Sequence, residues 1–529
     1  MSGGRRRPAV HLAVLALYAA LSLALTLPLA GQFAAHVPGD GGDDPALAWN
    51  LWWVKWALVD GRGDLFDCRY MFHPLGINLA FYTLTVLNGC LSVPLQGIFG
   101  LAAASNLILL SSFILGAYGA FLLAWDLLAR SAGGWPARLA GAFFAGLVYG
   151  FSSSKLFYAS LGQFNIASTQ WIPFYALMLL RIGRRPRRWR YAVLAGLFLL
   201  FQGWAEMTFA SFLLVLTALY VLAALWGAWR APAENGLLPA RRGAADWGRR
   251  VLLPFLAGLA LLGAVFLAGI SPLLANMLPD MRAEGDFFVV GSGFAEDFSA
   301  DLLGIFVPTR LNPWFGGLVE GLNFPHDHAQ HYYLGYGVLL LALLGLRAGR
   351  RRGEVRFWAL SAGLFFLLIL GPSLRWNGHD LGLPLPFRLF QALPFFKGNR
   401  YPSRFGVLLV LSLALLAGLG LAWLWRRLAA SRPWRAPAAA ILFSALFLLG
   451  HLCVPLPLSD LSLPPAYEAL IQDAGGETHA LLDLPLAWRN GFRITGIFDP
   501  IFMYAQFYQT AHHQRLLSGN TSRKPELKF

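Results

Sequence analysis

Eleven apolar stretches, punctuated by short arginine runs, constrain the fold of this chain more than any motif in it. A backbone that crosses hydrocarbon must satisfy its polar groups internally, so such stretches fold as helices. The 529 residues are 57% hydrophobic and only 13% charged, against roughly a quarter charged in a soluble protein. The sequence therefore reads as an all-α polytopic membrane protein with about eleven transmembrane helices. A net charge of +15 would suit nucleic acid, but the arginines cluster between apolar segments, as cytoplasmic loops do, so no nucleic-acid partner is expected.

Arginine counting sets the topology. Arg5, Arg6 and Arg7 keep the N-terminus inside, and Ala9–Leu29 crosses outward as an uncleaved signal anchor. The runs at Arg130/Arg138, Arg181–Arg190, Arg230–Arg250, Arg347–Arg356 and Arg426–Arg435 are then cytoplasmic. That parity allows one crossing, not two, between Leu29 and Arg130. The stretch Leu84–Gly100, with Asn88, Ser92, Pro94 and Gln96, is barely long enough to span and reads as juxtamembrane or re-entrant on the outer side. The remaining spans are expected near 104–128, 136–153, 168–183, 191–206, 207–229, 251–271, 332–346, 357–371, 404–425 and 436–453. The chain is thus integral to the cytoplasmic membrane, with its N-terminus inside and its C-terminus outside.

Two units follow: a transmembrane unit over 1–453 and an extracytoplasmic segment over 454–529. Outer segments lie at 30–103, 272–331, 372–403 and in the tail, so any chemistry is expected on that face. The tail is less apolar, carries a strand-like Ala480–Leu486, and reads as a small α/β segment that leaves room for a longer domain beyond Pro525. Three scattered cysteines, Cys68, Cys90 and Cys453, are too few for a disulfide framework or a zinc site. Free thiols are the simpler reading, a Cys68–Cys90 bridge the other.

Four outer constellations can carry chemistry. The first is Asp40, Asp43 and Asp44, set among Gly39, Gly41 and Gly42 just past the first span. Carboxylates beside hydrocarbon are costly, and glycines let such a loop turn tightly enough to gather them. Trp49, Trp52, Trp53 and Trp56 follow at helical spacing, a stripe that suits a helix lying in the membrane interface. The plain alternative is a solvated turn in which Asp43 or Asp44 caps that helix. The second is Lys397, Arg400 and Arg404 at the outer start of a span, against the positive-inside trend. Their guanidinium forks suit a phosphate, or else they snorkel as headgroup anchors. The third is the 272–331 loop, where His326, Asp327, His328 and His331 could hold zinc or another divalent ion, with Asp301 and Glu320 as further polar candidates. Such histidines more often bind nothing. The fourth is Gln163, Asn165 and Glu206 at outer span ends, where Glu206 either lines a cavity or caps a tight turn. No nucleotide-binding glycine loop and no Ser/His/Asp or Cys/His nucleophile arrangement is readable.

These features resemble the GT-C superfamily of integral membrane glycosyltransferases, which includes dolichol-phosphate-mannose mannosyltransferases and bacterial aminoarabinose transferases. The resemblance is carried by the acidic run after the first span and by Trp49–Trp53, Phe72–Gly76, Thr83–Gly89 and Arg400–Phe405, and extends to about Arg427. It implies a GT-C-like fold and sugar transfer from a polyprenyl-phosphate donor, within the cell envelope, to an unidentified acceptor hydroxyl. It further implies an outward-facing site and inversion at the sugar carbon. Asp43, or Asp40 or Asp44, would be the base or would hold a divalent ion, the one cofactor expected. Arg400, Arg404 and Lys397 would hold the lipid phosphate. Asn50, Trp53, His73, Asn88, Gln163 and Glu206 join them as substrate-binding candidates. The triple aspartate departs from the family pattern and leaves the matching carboxylate open. Two other readings stand beside this one: a transporter or flippase of lipid-linked glycans, which needs ionisable residues near mid-membrane, and a noncatalytic membrane scaffold.

Overall fold

The structure, a computed structural model, describes residues 3–130, 134–230, 236–239, 244–284, 294–323, 332–393, 400–473, 479–490, 493–496 and 501–521. Each expected span falls on a helix: α1 (Gly3–Leu25), α4 (Leu101–Leu128), α5 (Trp135–Gly150), α8 (Trp171–Arg184), α9 (Arg190–Ala205) and α10 (Met207–Arg230). They continue with α11 (Leu253–Glu284), α12 (Tyr336–Gly349), α13 (Gly353–Ile369), α14 (Gly406–Ser431) and α15 (Arg435–His451). Among the described residues five helical segments are long and apolar enough to cross a membrane: Pro8–Leu25, Leu101–Leu128, Met207–Trp229, Gly248–Ala283 and Pro402–Ser431. The other six run 14 to 17 residues. At ~1.5 Å per residue they reach only about 21–26 Å, short of a ~30 Å hydrocarbon layer. The stretch expected to be juxtamembrane is α3 (Val86–Phe99), which breaks from α4 at Gly100 and is also too short to cross.

Helix α14 is apolar all round and is the most enclosed of the long helices, the pattern of a central element. Small residues let its neighbours close on it. A methyl on Gly418 would sit 2.5 Å from the Gly141 carbonyl oxygen of α5, and one on Gly420 would collide with the Leu341 carbonyl of α12. At the arginine-rich ends, Glu354 of α13 accepts from Arg130 at 3.0 Å, Arg184 at 2.6 Å and Arg352 at 3.3 Å. Asp126 of α4 pairs with Arg184 and, at 3.1 Å, with Arg181. The arginines that set topology thus also clamp three helix ends.

On the opposite side lie two short helices, α6 (Ser153–Ser160) and α7 (Phe164–Ala167), and the Trp-rich α2 (Asp44–Leu58). The tryptophan stripe does not face lipid as expected. Trp49 and Trp53 are fully buried and Trp52 is 7% exposed, packed among Cys68, Met71, Phe72, Ile77, Leu79 and Leu84 of the loop that follows and touched by the C-terminal segment. Its helix α17 (Ile501–His512) packs on α2, where the Trp49 indole donates to Gln509 Oε1 at 2.9 Å, and just beyond the helix His513 stacks on Trp52 with ring centres 5.8 Å apart. Strand β6 (Leu458–Asp460) pairs antiparallel with β1 (His36–Pro38), immediately before the acidic loop. Strand β8 (Ala487–Asn490) lies between β9 (Arg493–Gly496) and β11 (Asn520–Thr521). The strand expected over 480–486 shrinks to β7 (Ala480–Leu481), paired in parallel with β10 (Arg515–Leu516). The tail is an α/β segment whose β6 pairs with β1 and whose α17 packs on α2. Cys68, Cys90 and Cys453 are free thiols.

Candidate functional site

The three aspartates separate into three environments. Asp40 is exposed, and its Oδ1 accepts from the Gly42 N–H at 3.0 Å, closing a turn on itself. Asp44 is buried at 3% exposure, with Oδ1 accepting from the Gly41 N–H at 2.9 Å. Its seat requires glycine on two sides, since a methyl at Gly39 or Gly162 would collide with the Asp44 side chain, and both take positive φ. Burial pushes the Asp44 carboxyl up to about 7, against hydrogen bonds from Ser459 and the Gly41 N–H. Asp43 occupies the N-cap position of α2 but makes no side-chain cap, so the capping alternative fails for it. Its carboxylate turns instead to two partners: Oδ2 accepts from Gln163 Nε2 at 2.7 Å, and Oδ1 faces the Arg489 guanidinium at 3.6 Å. Both side chains stay about one third open to solvent, at 36% for Asp43 and 29% for Arg489.

Arg489 links this loop to the basic segment. Arg400 is half-buried, and burial first, then the charges of Arg404 and Arg489, hold its guanidinium below the usual range, with Tyr401 opposing. The Arg404 guanidinium lies 3.8 Å over the Tyr401 ring and 5.8 Å from that of Tyr158. Its Nε is buried with no hydrogen-bond partner among the described residues. The segment is fastened by the Ser403 N–H to the Phe298 carbonyl at 3.1 Å and by Phe298 against Tyr401 at 4.3 Å. A cluster of three guanidiniums, with the Asp43 carboxylate beside Arg489, makes a surface that favours an anion. Lys397 lies outside the described residues, as do His326, Asp327, His328 and His331.

Other expected site residues are spent on structure. Trp53 is fully buried and its indole donates to the Leu65 carbonyl at 3.1 Å, so it packs rather than binds. Asn50 is also fully buried and donates to the Thr83 carbonyl at 2.6 Å, while Asn88 donates to Ser168 Oγ at 3.0 Å. Glu206 joins α9 to α10: Oε2 accepts from Asn165 at 2.9 Å and Oε1 from the Thr208 hydroxyl at 2.7 Å, which favours its turn-capping alternative. His73 is half-buried, tied by its N–H to the Leu516 carbonyl at 2.9 Å. Asp301 is buried and accepts from the Leu303, Asn377 and Gly378 N–H groups at 2.8–3.0 Å, a clip for its loop. Glu320 is exposed. Gln163 alone of the fourth constellation reaches the acidic loop.

A divalent ion fits this loop poorly. The three carboxylates diverge, and the cation beside Asp43 is already Arg489. Among the described residues no group of three His, Cys, Asp or Glu converges. Sequence reasoning missed Arg489 and the buried Lys155. Lys155 closely follows an apolar stretch, a signal like the one that singled out Arg400, whereas Arg489 lies in the less apolar tail, far from any such stretch.

No family model matches the sequence, and no curated protein matches it. In structure the chain is similar to archaeal oligosaccharyltransferases. One is the Archaeoglobus fulgidus oligosaccharyltransferase in the apo form, at 14% identity and a TM-score of 0.46, covering 96% of this chain and 64% of that one. Another is oligosaccharyltransferase AglB from the same organism, in complex with an inhibitory peptide and a dolichol-phosphate, with the same identity, TM-score and coverage. A third, the Archaeoglobus fulgidus enzyme in complex with Zn and sulfate, gives 13% identity, a TM-score of 0.44, and 96% and 62% coverage. The chain spans less than two thirds of the length of each.

Proposed function

We propose that this chain is a GT-C-type membrane glycosyltransferase that moves a sugar from a polyprenyl-phosphate donor to an acceptor hydroxyl at the outer membrane face, with inversion. One observation carries the reading: Asp43 stands beside Arg489 at 3.6 Å, and Arg489 in turn is near Arg400, so one carboxylate meets a cluster of guanidiniums. Asp43 takes the proton of the acceptor hydroxyl. The freed oxygen attacks the sugar carbon from the face opposite the phosphate. The bond to the phosphate oxygen breaks, and its electron pair leaves on the lipid phosphate. Arg400, Arg404 and Arg489 stabilise the charge that develops there. Because phosphate leaves without protonation, one carboxylate suffices where a glycosidase needs two. No step passes through a metal.

The test is sugar transfer by purified protein from a polyprenyl-phosphate sugar. Asp43→Asn is expected to lower the rate by roughly 10²–10⁴-fold, the range for a lost general base. Arg400→Ala is expected to lower it by roughly 10²-fold or more, as loss of a charge-stabilising donor does. Asp40→Asn should change it little. Transfer that survives both of the first two substitutions would remove Asp43 and Arg400 from the chemistry. Movement of labelled lipid-linked glycan across vesicles, without transfer, would favour a transporter instead.

A further inference from the structure

Behind Arg404 lies a small cavity whose inner cation, Lys155, the scheme above does not use. Lys155, Arg404, Tyr158, Tyr332, Ser154 and Thr169 contribute the polar side of its lining. Lys155 is 6% exposed, and the Ser112 carbonyl, at 2.8 Å, is its only hydrogen-bond partner among the described residues. An ammonium carries three donors, so this one is under-satisfied. Its other neighbour is the face of Phe113, 4.8 Å away. The buried Thr169 Oγ1 likewise has no partner among the described residues. Two cations thus share a cavity with no carboxylate in its lining. A buried cation without a counter-charge is costly and calls for an anion or for loss of its proton. The cationic and hydroxyl lining suits a small tetrahedral anion. The cavity adjoins the acidic loop through one turn, since the Gln163 that holds Asp43 donates its own N–H to the Tyr158 carbonyl at 2.9 Å.

We propose that this cavity is a phosphate-binding subsite in which Lys155 and Arg404 hold a single phosphate group, carried by a lipid or free. Tyr158, Tyr332, Ser154 and Thr169 supply hydroxyls to its oxygens. Arg404 is half-buried, at the open side, and Lys155 is the inner cation. Burial alone pushes the Lys155 amine down to about 7, and the groups around it are Arg404 and the phenols of Tyr149, Tyr158 and Tyr332. An entering anion favours the charged amine, so binding draws a proton into the cavity. The proposal deepens the donor-phosphate reading, but its test measures binding rather than transfer, so either can fail alone.

The test is calorimetric titration of the full chain in detergent with inorganic phosphate and, separately, with a short-chain prenyl phosphate. Repeating it in two buffers of different ionisation enthalpy reads proton uptake. Wild type is expected to bind with uptake of a proton. Lys155→Met should weaken binding at least tenfold and abolish the uptake, while Lys155→Arg retains affinity without uptake. Weakening toward both probes, or toward the prenyl phosphate alone, assigns the subsite to the lipid's phosphate. Weakening toward inorganic phosphate alone assigns it to the free ion. Unchanged affinity and uptake in Lys155→Met, or no saturable binding by wild type, overturns the proposal. A second readout needs no variant: phosphate should protect Lys155 from reductive methylation while chloride does not. The chain has only five lysines, so mass spectrometry resolves them individually. Equal methylation with and without phosphate also overturns it.

Discussion

Three aspartates within five residues look interchangeable on paper, yet burial gives each a different chemistry. Asp44 is the one whose titration should be visible in stability. The folded chain keeps its proton up to about pH 7, whereas an unfolded aspartate releases it near ~4. Across that window the folded state binds more protons, so stability falls as pH rises through it and levels off above. The thermal midpoint is therefore expected to be lower at pH 8 than at pH 5.5, with an Asp44 contribution of about 2 kcal/mol between those two pH values. In Asp44→Asn that part of the fall should vanish, as read by tryptophan fluorescence during heating. A fall of the same size in the variant would mean that Asp44 is ionised in the fold. The aspartates, Arg400 and Arg404 were readable in the sequence because charges are rare beside apolar segments. Arg489 was not, because its partner lies far away in sequence, in the first outer loop.

At the scale of elements, α2 shows how a periodicity can be right and its environment wrong. The spacing of Trp49, Trp52, Trp53 and Trp56 gave a helix, and a helix is what forms. It could not tell lipid from protein as the covering phase, since indole suits either. What covers the stripe is the loop over 60–84 together with α17, and the fastening to α17 is Gln509. That buried amide accepts from the Trp49 indole and donates to the carbonyls of Tyr70 and Gln514, both at 2.8 Å. Gln509→Ala leaves a buried indole N–H and two carbonyls to find other partners, a cost of about 1–3 kcal/mol for each group left unsatisfied. The expected result is a lower melting temperature and, because Arg489 belongs to the same segment, weaker sugar transfer. Wild-type melting in Gln509→Ala would show that the tail is held elsewhere.

For the molecule as a whole, each apolar stretch read as a span falls on a helix among the described residues. The stretches themselves could not settle how many cross, because helices of 14 to 17 residues span only if tucked among longer ones or in thinned bilayer. Orientation is testable directly. In a background with the native cysteines replaced, Asp40→Cys should react with a membrane-impermeant maleimide on intact cells, and Arg187→Cys only after permeabilisation. The reverse pattern would invert the topology. The acidic loop and its partners also have a birth order. The loop sits between the first two helices made, but the strand that pairs with it, Leu458–Asp460, and the cation that faces it, Arg489, are synthesised more than 400 residues later. A nascent chain emerging from N- to C-terminus inserts nearly all its helices before that loop can take its final shape. Incomplete chains caught in the membrane would thus lack the Asp43–Arg489 pair and the strand that holds the loop's entry.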